Sequence, residues 1–178
     1  MGSAWFAYAA GITGTLANLL LAAFYLFHRN WLGALNDLTG SLSTLLMIPV
    51  ALTLGGRVET PIALAALAVL TVGGPLLVFG LISFERQVPF MLGAFLVLSV
   101  WLILVNRQPR AGLPSWVATL GLSCGVAALA SAAVAGLALT TRAGSRLRTV
   151  LLVIGGVPGM LVWAAVPIWF LLVGWYWT

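Results

Sequence analysis

Six runs of predominantly apolar residues, each about twenty long, fill the chain and leave short polar breaks between them. A membrane hydrocarbon core about 30 Å thick needs a helix of about 20 apolar residues to cross it. In lipid every backbone N–H and C=O must be satisfied within the chain, and runs of this length do so as helices. The runs are read as helices over about Ala4–Phe27, Leu32–Leu54, Pro61–Phe84, Val88–Val105, Pro114–Thr140 and Leu147–Trp175. The predicted fold is all-α, a polytopic six-transmembrane-helix bundle. Residues 1–178 form a single domain, because no break is long enough to hold another.

Composition excludes a soluble core. Of the residues, 62% are hydrophobic and 6% charged, and the mean hydropathy is +1.15; soluble domains carry about 25% charged residues. There is no lysine, and the net charge of +5 comes from eight arginines against three acids. The arginines lie in the breaks and form no basic run on a solvated face. They speak for membrane topology and against nucleic acid as a partner.

The breaks carry helix punctuation. His28-Arg29-Asn30 ends the first run; Gly55-Gly56 followed by Arg57-Val58-Glu59-Thr60-Pro61 reads as a glycine stop, a polar turn and a proline start. Glu85-Arg86-Gln87 reads as a tight turn between the third and fourth helices, which makes them antiparallel neighbours. Breaks after helices one, three and five hold Arg29, Arg86, Arg142, Arg146 and Arg148, against Arg57, Arg107 and Arg110 on the other side. That bias puts the first group in the cytoplasm and both termini outside, in a multi-pass protein of a bacterial-type inner membrane. Trp5, Phe6, Tyr8, Trp175, Tyr176 and Trp177 cluster on one side, and Trp31 and Trp116 mark other helix ends, as interfacial anchors do.

The most informative polar stretch is Asn36 to Thr44. It holds Asp37, the sole aspartate in the chain. At about 100° per residue, Asp37, Ser41 and Thr44 share one helix face, with Asn36, Gly40 and Ser43 beside it. A carboxylate within the bilayer costs a few kcal/mol, so this face has to look toward other helices or water. Two readings stand. Asp37 is a proton, cation or polar-ligand site with Asn36, Ser41 and Thr44 around it; or it is a structural ion pair with Arg29, Arg86 or Arg142, or a cap favoured by the helix dipole. Asn18, mid-way along the first helix, either bonds across helices or meets a ligand.

Thr71-Val72-Gly73-Gly74-Pro75 interrupts the third helix and Ile154-Gly155-Gly156-Val157-Pro158-Gly159 the sixth. Matching breaks in the two halves fit a 3+3 inverted repeat of the kind transporters use. They also fit the ordinary frequency of glycine and proline in membrane helices. Gly121 and Gly125 form a GxxxG match amid small residues, read as a close helix contact within the chain.

Chemistry has few candidates. His28 is the sole histidine and Cys124 the sole cysteine, so a structural zinc site, paired-histidine haem and an intrachain disulfide all lack donors. No lysine can hold a Schiff base, and GxSxG, HExxH and phosphate-loop patterns are missing. Glu85 and Arg86 are adjacent and do not face each other; Glu85 reads as interfacial. No enzymatic activity and no cofactor are expected. In size, tryptophan content and hydropathy the chain is similar to the translocator-type tryptophan-rich sensory proteins. That family has one helix fewer, and Pro114-Ser115-Trp116 is a mere fragment of its proline- and tryptophan-rich loop, so the match is rejected. In size and helix count it resembles the substrate-binding components of energy-coupling-factor vitamin transporters, with no shared motif.

The functional expectation is an integral membrane protein that binds or moves a small apolar or weakly polar ligand between its helices. Asp37, Asn36, Ser41, Thr44 and Asn18 would supply polar contacts, and Gly73, Gly74, Gly155 and Gly156 would let helices approach or bend. The competing expectation is a non-catalytic membrane subunit or interaction protein. Expected partners are membrane lipid, the ligand, and a second copy or another membrane protein.

Overall fold

In a computed structural model, which describes residues 2–107, 112–142 and 144–178, the chain is all-helical. Helix accounts for 88% of the described residues. The helices are α1 (Gly2–Phe27), α2 (Asn30–Leu54), α3 (Glu59–Val78), α4 (Phe84–Asn106), α5 (Ser115–Thr140) and α6 (Arg146–Trp177). Among the described residues, α1 to α5 each contain a stretch long and apolar enough to cross a membrane. In α6 the apolar stretch Leu161–Trp177 is shorter. Ile12, Leu19, Val72 and Val126, all well inside their helices, are more than half exposed. Apolar exposure on that scale around a bundle marks a surface made for lipid.

Each helix packs chiefly on its neighbours in the chain, and α6 comes back to pack on α1. The result is a closed ring. Short links force consecutive helices to run antiparallel. One end of the ring therefore gathers the starts of α1, α3 and α5 with the ends of α2, α4 and α6. At this end the interior is filled. Val50, Leu67, Trp101, Leu102, Val117, Trp169, Phe170 and Val173 are almost wholly buried there. Trp101 and Trp169 meet edge to face at 6.3 Å, and the Trp169 indole N–H donates to the Val117 carbonyl at 3.1 Å.

Glycines set the closest helix approaches. A Cβ on Gly121 would lie 2.5 Å from Asn106 Nδ2 and from Trp169 Nε1, and one on Gly125 would lie 2.9 Å from Ser99 O. The GxxxG face is thus spent inside the chain, on α4 and α6. A Cβ on Gly11 would lie 2.8 Å from Pro167 O, so α1 and α6 also touch nearly backbone to backbone.

The links differ from the sequence expectation at one place. Helix α3 stops at Val78, short of Phe84, and the turn is Phe79–Ser83. Gly80 takes φ +68°, the Gly80 N–H donates to Leu77 O at 3.0 Å and the Leu81 N–H to Leu76 O at 2.8 Å. That pair of bonds is the glycine-terminated helix stop in which a left-handed residue satisfies the last carbonyls. Glu85-Arg86-Gln87 accordingly forms the first turn of α4 instead of the link, with Glu85 where a helix dipole favours an acid. The expected interruptions are also absent from the backbone: α3 runs through Gly73, Gly74 and Pro75, and α6 runs through Pro158 and Pro167. The loop position Arg110 lies outside the described residues.

A candidate ligand cavity at the arginine-bearing end

The opposite half of the ring is not filled. Around the end of α1 and the start of α2, the helices border a half-open cavity of about 610 Å³ lined by residues from all six. Met47, Leu98 and Val166 are buried in the core and also line the cavity, so they form its floor. Leu21, Met91, Phe95 and Trp163 supply apolar wall, and the Phe95 and Trp163 rings pack at 4.4 Å. The links nearest this half follow α1, α3 and α5, and Arg29, Arg86 and Arg142 are exposed there.

Helix α2 brings the polar stripe to this space. Its period of about 3.6 residues aligns Asn36, Asp37, Gly40, Ser41, Ser43 and Thr44 along one side, and all six line the cavity. Their roles divide. The hydroxyls mostly tie α2 to its neighbours. Ser43 Oγ donates to Ala10 O on α1 at 2.9 Å, and Ser41 Oγ lies 3.4 Å from Leu70 O on α3. Thr44 Oγ1 donates to Ser41 O at 2.9 Å and shares a 3.0 Å bond with Thr71 Oγ1. Asn18 does the same for α1, donating from Nδ2 to Trp163 O on α6 at 3.2 Å.

Asp37 and Asn36 stand apart from this bonding. Asn36 Nδ2 donates to Asp37 Oδ1 at 3.2 Å, a contact between adjacent residues that ties α2 to nothing else. Asp37 is half-buried, two turns into α2. Among the described residues its carboxylate has no ion pair with Arg29, Arg86 or Arg142. Neither structural alternative drawn from sequence describes it: it is too far into the helix to cap it, and its arginine candidates are turned outward.

The glycines also divide. Gly74 is buried and lines the cavity; a Cβ there would collide with Ser41 Oγ and lie 2.5 Å from the Asp37 carbonyl oxygen. Gly155 is buried and lines the cavity too. The surroundings of Gly156 lie outside the described residues. Gly73 faces elsewhere: a Cβ there would meet Met91 Sδ at 2.6 Å, and the residue borders a shallow apolar groove between α3 and α4.

Three positions were not singled out by sequence. Gln87 is buried and donates from Nε2 to Gly73 O at 2.9 Å, clamping α4 to α3. Ser99 and Ser131 bring buried hydroxyls to the far wall of the cavity. For the two serines the available signal was a lone polar residue inside an apolar run. Gly40 also has more to offer than its place in the stripe implied: nothing lies within 4 Å of where its Cβ would be, so the wall is open there. Comparison with protein-family models, curated proteins and solved structures gives no match to this chain.

Proposed function

We propose that this chain is a multi-pass membrane protein that binds or carries a small ligand in the cavity between its six helices. The supporting observation is Asp37. A carboxylate with no cation beside it, on the wall of a mostly apolar space, is costly unless something occupies or hydrates that space. A purely structural bundle would gain stability by filling the space with side chains. Volumes of roughly 300–1,000 Å³ with few convergent polar groups are typical of small-molecule sites. The ligand is apolar or weakly polar over most of its surface, matching Leu21, Met47, Met91, Phe95 and Trp163. Asp37 and Asn36 contact its polar group.

We place the cavity end in the cytoplasm, because five arginines lie on that side against three on the other. We read the two halves as a 3+3 inverted repeat. The α3–α4 contact and the α6–α1 contact are equivalent under it. No catalytic group is assigned.

Filling the cavity tests the proposal. Gly40→Phe adds a ring where the wall is open, so the fold should persist while the space shrinks. A thermal-shift screen of small apolar and amphipathic compounds on the purified protein should find binders that stabilise wild type and not Gly40→Phe. A ligand present at about 100 times its Kd adds about 2.7 kcal/mol. If every compound shifts both proteins alike, the cavity is not a binding site.

A further inference from the structure

We infer that the cavity selects organic cations: molecules with one amine or quaternary ammonium group on an apolar body. This inference rests on the reading of the cavity as a ligand site and names the class of ligand. Among the described residues that line the cavity, Asp37 is the one ionisable side chain. Among the described residues its carboxylate has a single hydrogen bond, from Asn36, and no ion pair. An anion entering this space would meet repulsion and no basic group. A neutral ligand could donate a hydrogen bond to the carboxylate but would leave its charge uncompensated. A cation removes that cost, because opposite charges attract strongly where water is scarce.

The rest of the wall decides which cation. A bare metal ion needs several oxygen ligands held around it. Among the described residues no three of His, Cys, Asp and Glu come close enough to hold one. The cavity of about 610 Å³ is also far larger than an ion and mostly apolar. An ammonium on a hydrocarbon or aromatic frame suits both parts of the surface. Its charge meets Asp37, and its body lies against Met47, Met91 and Leu21. The Phe95 and Trp163 rings, packed on each other at 4.4 Å, also line this space, and aromatic rings attract an ammonium group where they repel a carboxylate.

Matched pairs of probes isolate the charge. Benzyltrimethylammonium and neopentylbenzene have the same shape and differ by a nitrogen in place of a carbon. Two larger pairs, with naphthylmethyl and biphenylmethyl groups in place of benzyl, cover the cavity's range of sizes. Binding is measured by calorimetry on the protein in lipid nanodiscs, with empty nanodiscs as the baseline. In wild type at least one ammonium should bind tenfold or more tighter than its neutral twin, a difference of about 1.4 kcal/mol. Asp37→Asn should erase that preference while retaining the neutral twin's affinity and the helical circular dichroism. Should the variant fail to fold, Asp37→Glu serves instead; it keeps the charge and should keep the preference. Equal binding of both members of every pair overturns the cation inference and leaves the ligand-site proposal standing. Binding of neither member of any pair overturns both.

Discussion

Replacing Gly74 by alanine should loosen the seat of Asp37, and the comparison with Gly40→Ala makes the size of the effect calculable. Both glycines are interior to helices that wall the cavity. In each case alanine gains about 0.8–1.0 kcal/mol of helix propensity over glycine. That gain cancels when the two variants are compared. What remains is the space around the new methyl group. At Gly40 nothing lies within 4 Å; at Gly74 the methyl collides with Ser41 Oγ and comes within 2.5 Å of Asp37 O and 3.0 Å of Asp37 C. Ser41 can rotate away, but the Asp37 carbonyl belongs to the α2 backbone and cannot. Overpacking of this kind costs about 1–3 kcal/mol, and main-chain contact puts Gly74 in the upper half. Gly40→Ala should therefore match or exceed wild-type stability, with Gly74→Ala about 2–3 kcal/mol below it. Titration from mild detergent into sodium dodecyl sulfate, followed by circular dichroism, measures both. If the two variants unfold within about 0.5 kcal/mol of each other, a margin ordinary for unconstrained sites, α2 and α3 do not approach as described. The displacement of α2 should also weaken binding at Asp37 in Gly74→Ala and not in Gly40→Ala.

Three further outcomes can be checked with the same protein. Asn18→Ala removes the bond to Trp163 O and should cost about 0.6 kcal/mol, with about 1.7 as the upper end for such bonds, read by the same titration. Trp169→Phe deletes a fully buried indole and its bond to Val117 O, for about 1–3 kcal/mol; Trp175→Phe, at an exposed ring, should stay within about 0.5 kcal/mol. Ser131→Cys in a Cys124→Ala background should react with a small membrane-permeant maleimide, because Ser131 lines the cavity, and adding Gly40→Phe should slow that reaction at least about tenfold, equivalent to about 1.4 kcal/mol of barrier.

The elements were legible because lipid imposes one length on every run of apolar residues, and each run became a helix. The α3–α4 boundary was misplaced for a physical reason. Charged residues look like a link, yet Glu85 and Arg86 can sit in a first helical turn at the membrane surface. The actual stop was a single glycine, Gly80, inside an apolar stretch. The stripe on α2 was legible because its period is that of a helix. Its division into bonding hydroxyls and a free carboxylate was not, since that depends on which helices flank α2. Gly73 and Gly74 show the limit sharply. One position apart on a helix is a turn of about 100°, and that rotation sends Gly73 toward Met91 on α4 and Gly74 toward Ser41 on α2.

The return of α6 to α1 has a consequence for biosynthesis. A chain is made from its N-terminus, so α1 enters the bilayer with one flank unmatched and waits through four more insertions for its second neighbour. During that interval Asn18 lacks the Trp163 carbonyl that later accepts its amide, and Asp37 looks into a trough open to lipid tails. The wall that closes this space from the far side, α6, is translated after the other five helices, and a ribosome stalled before it would leave the acid facing oil.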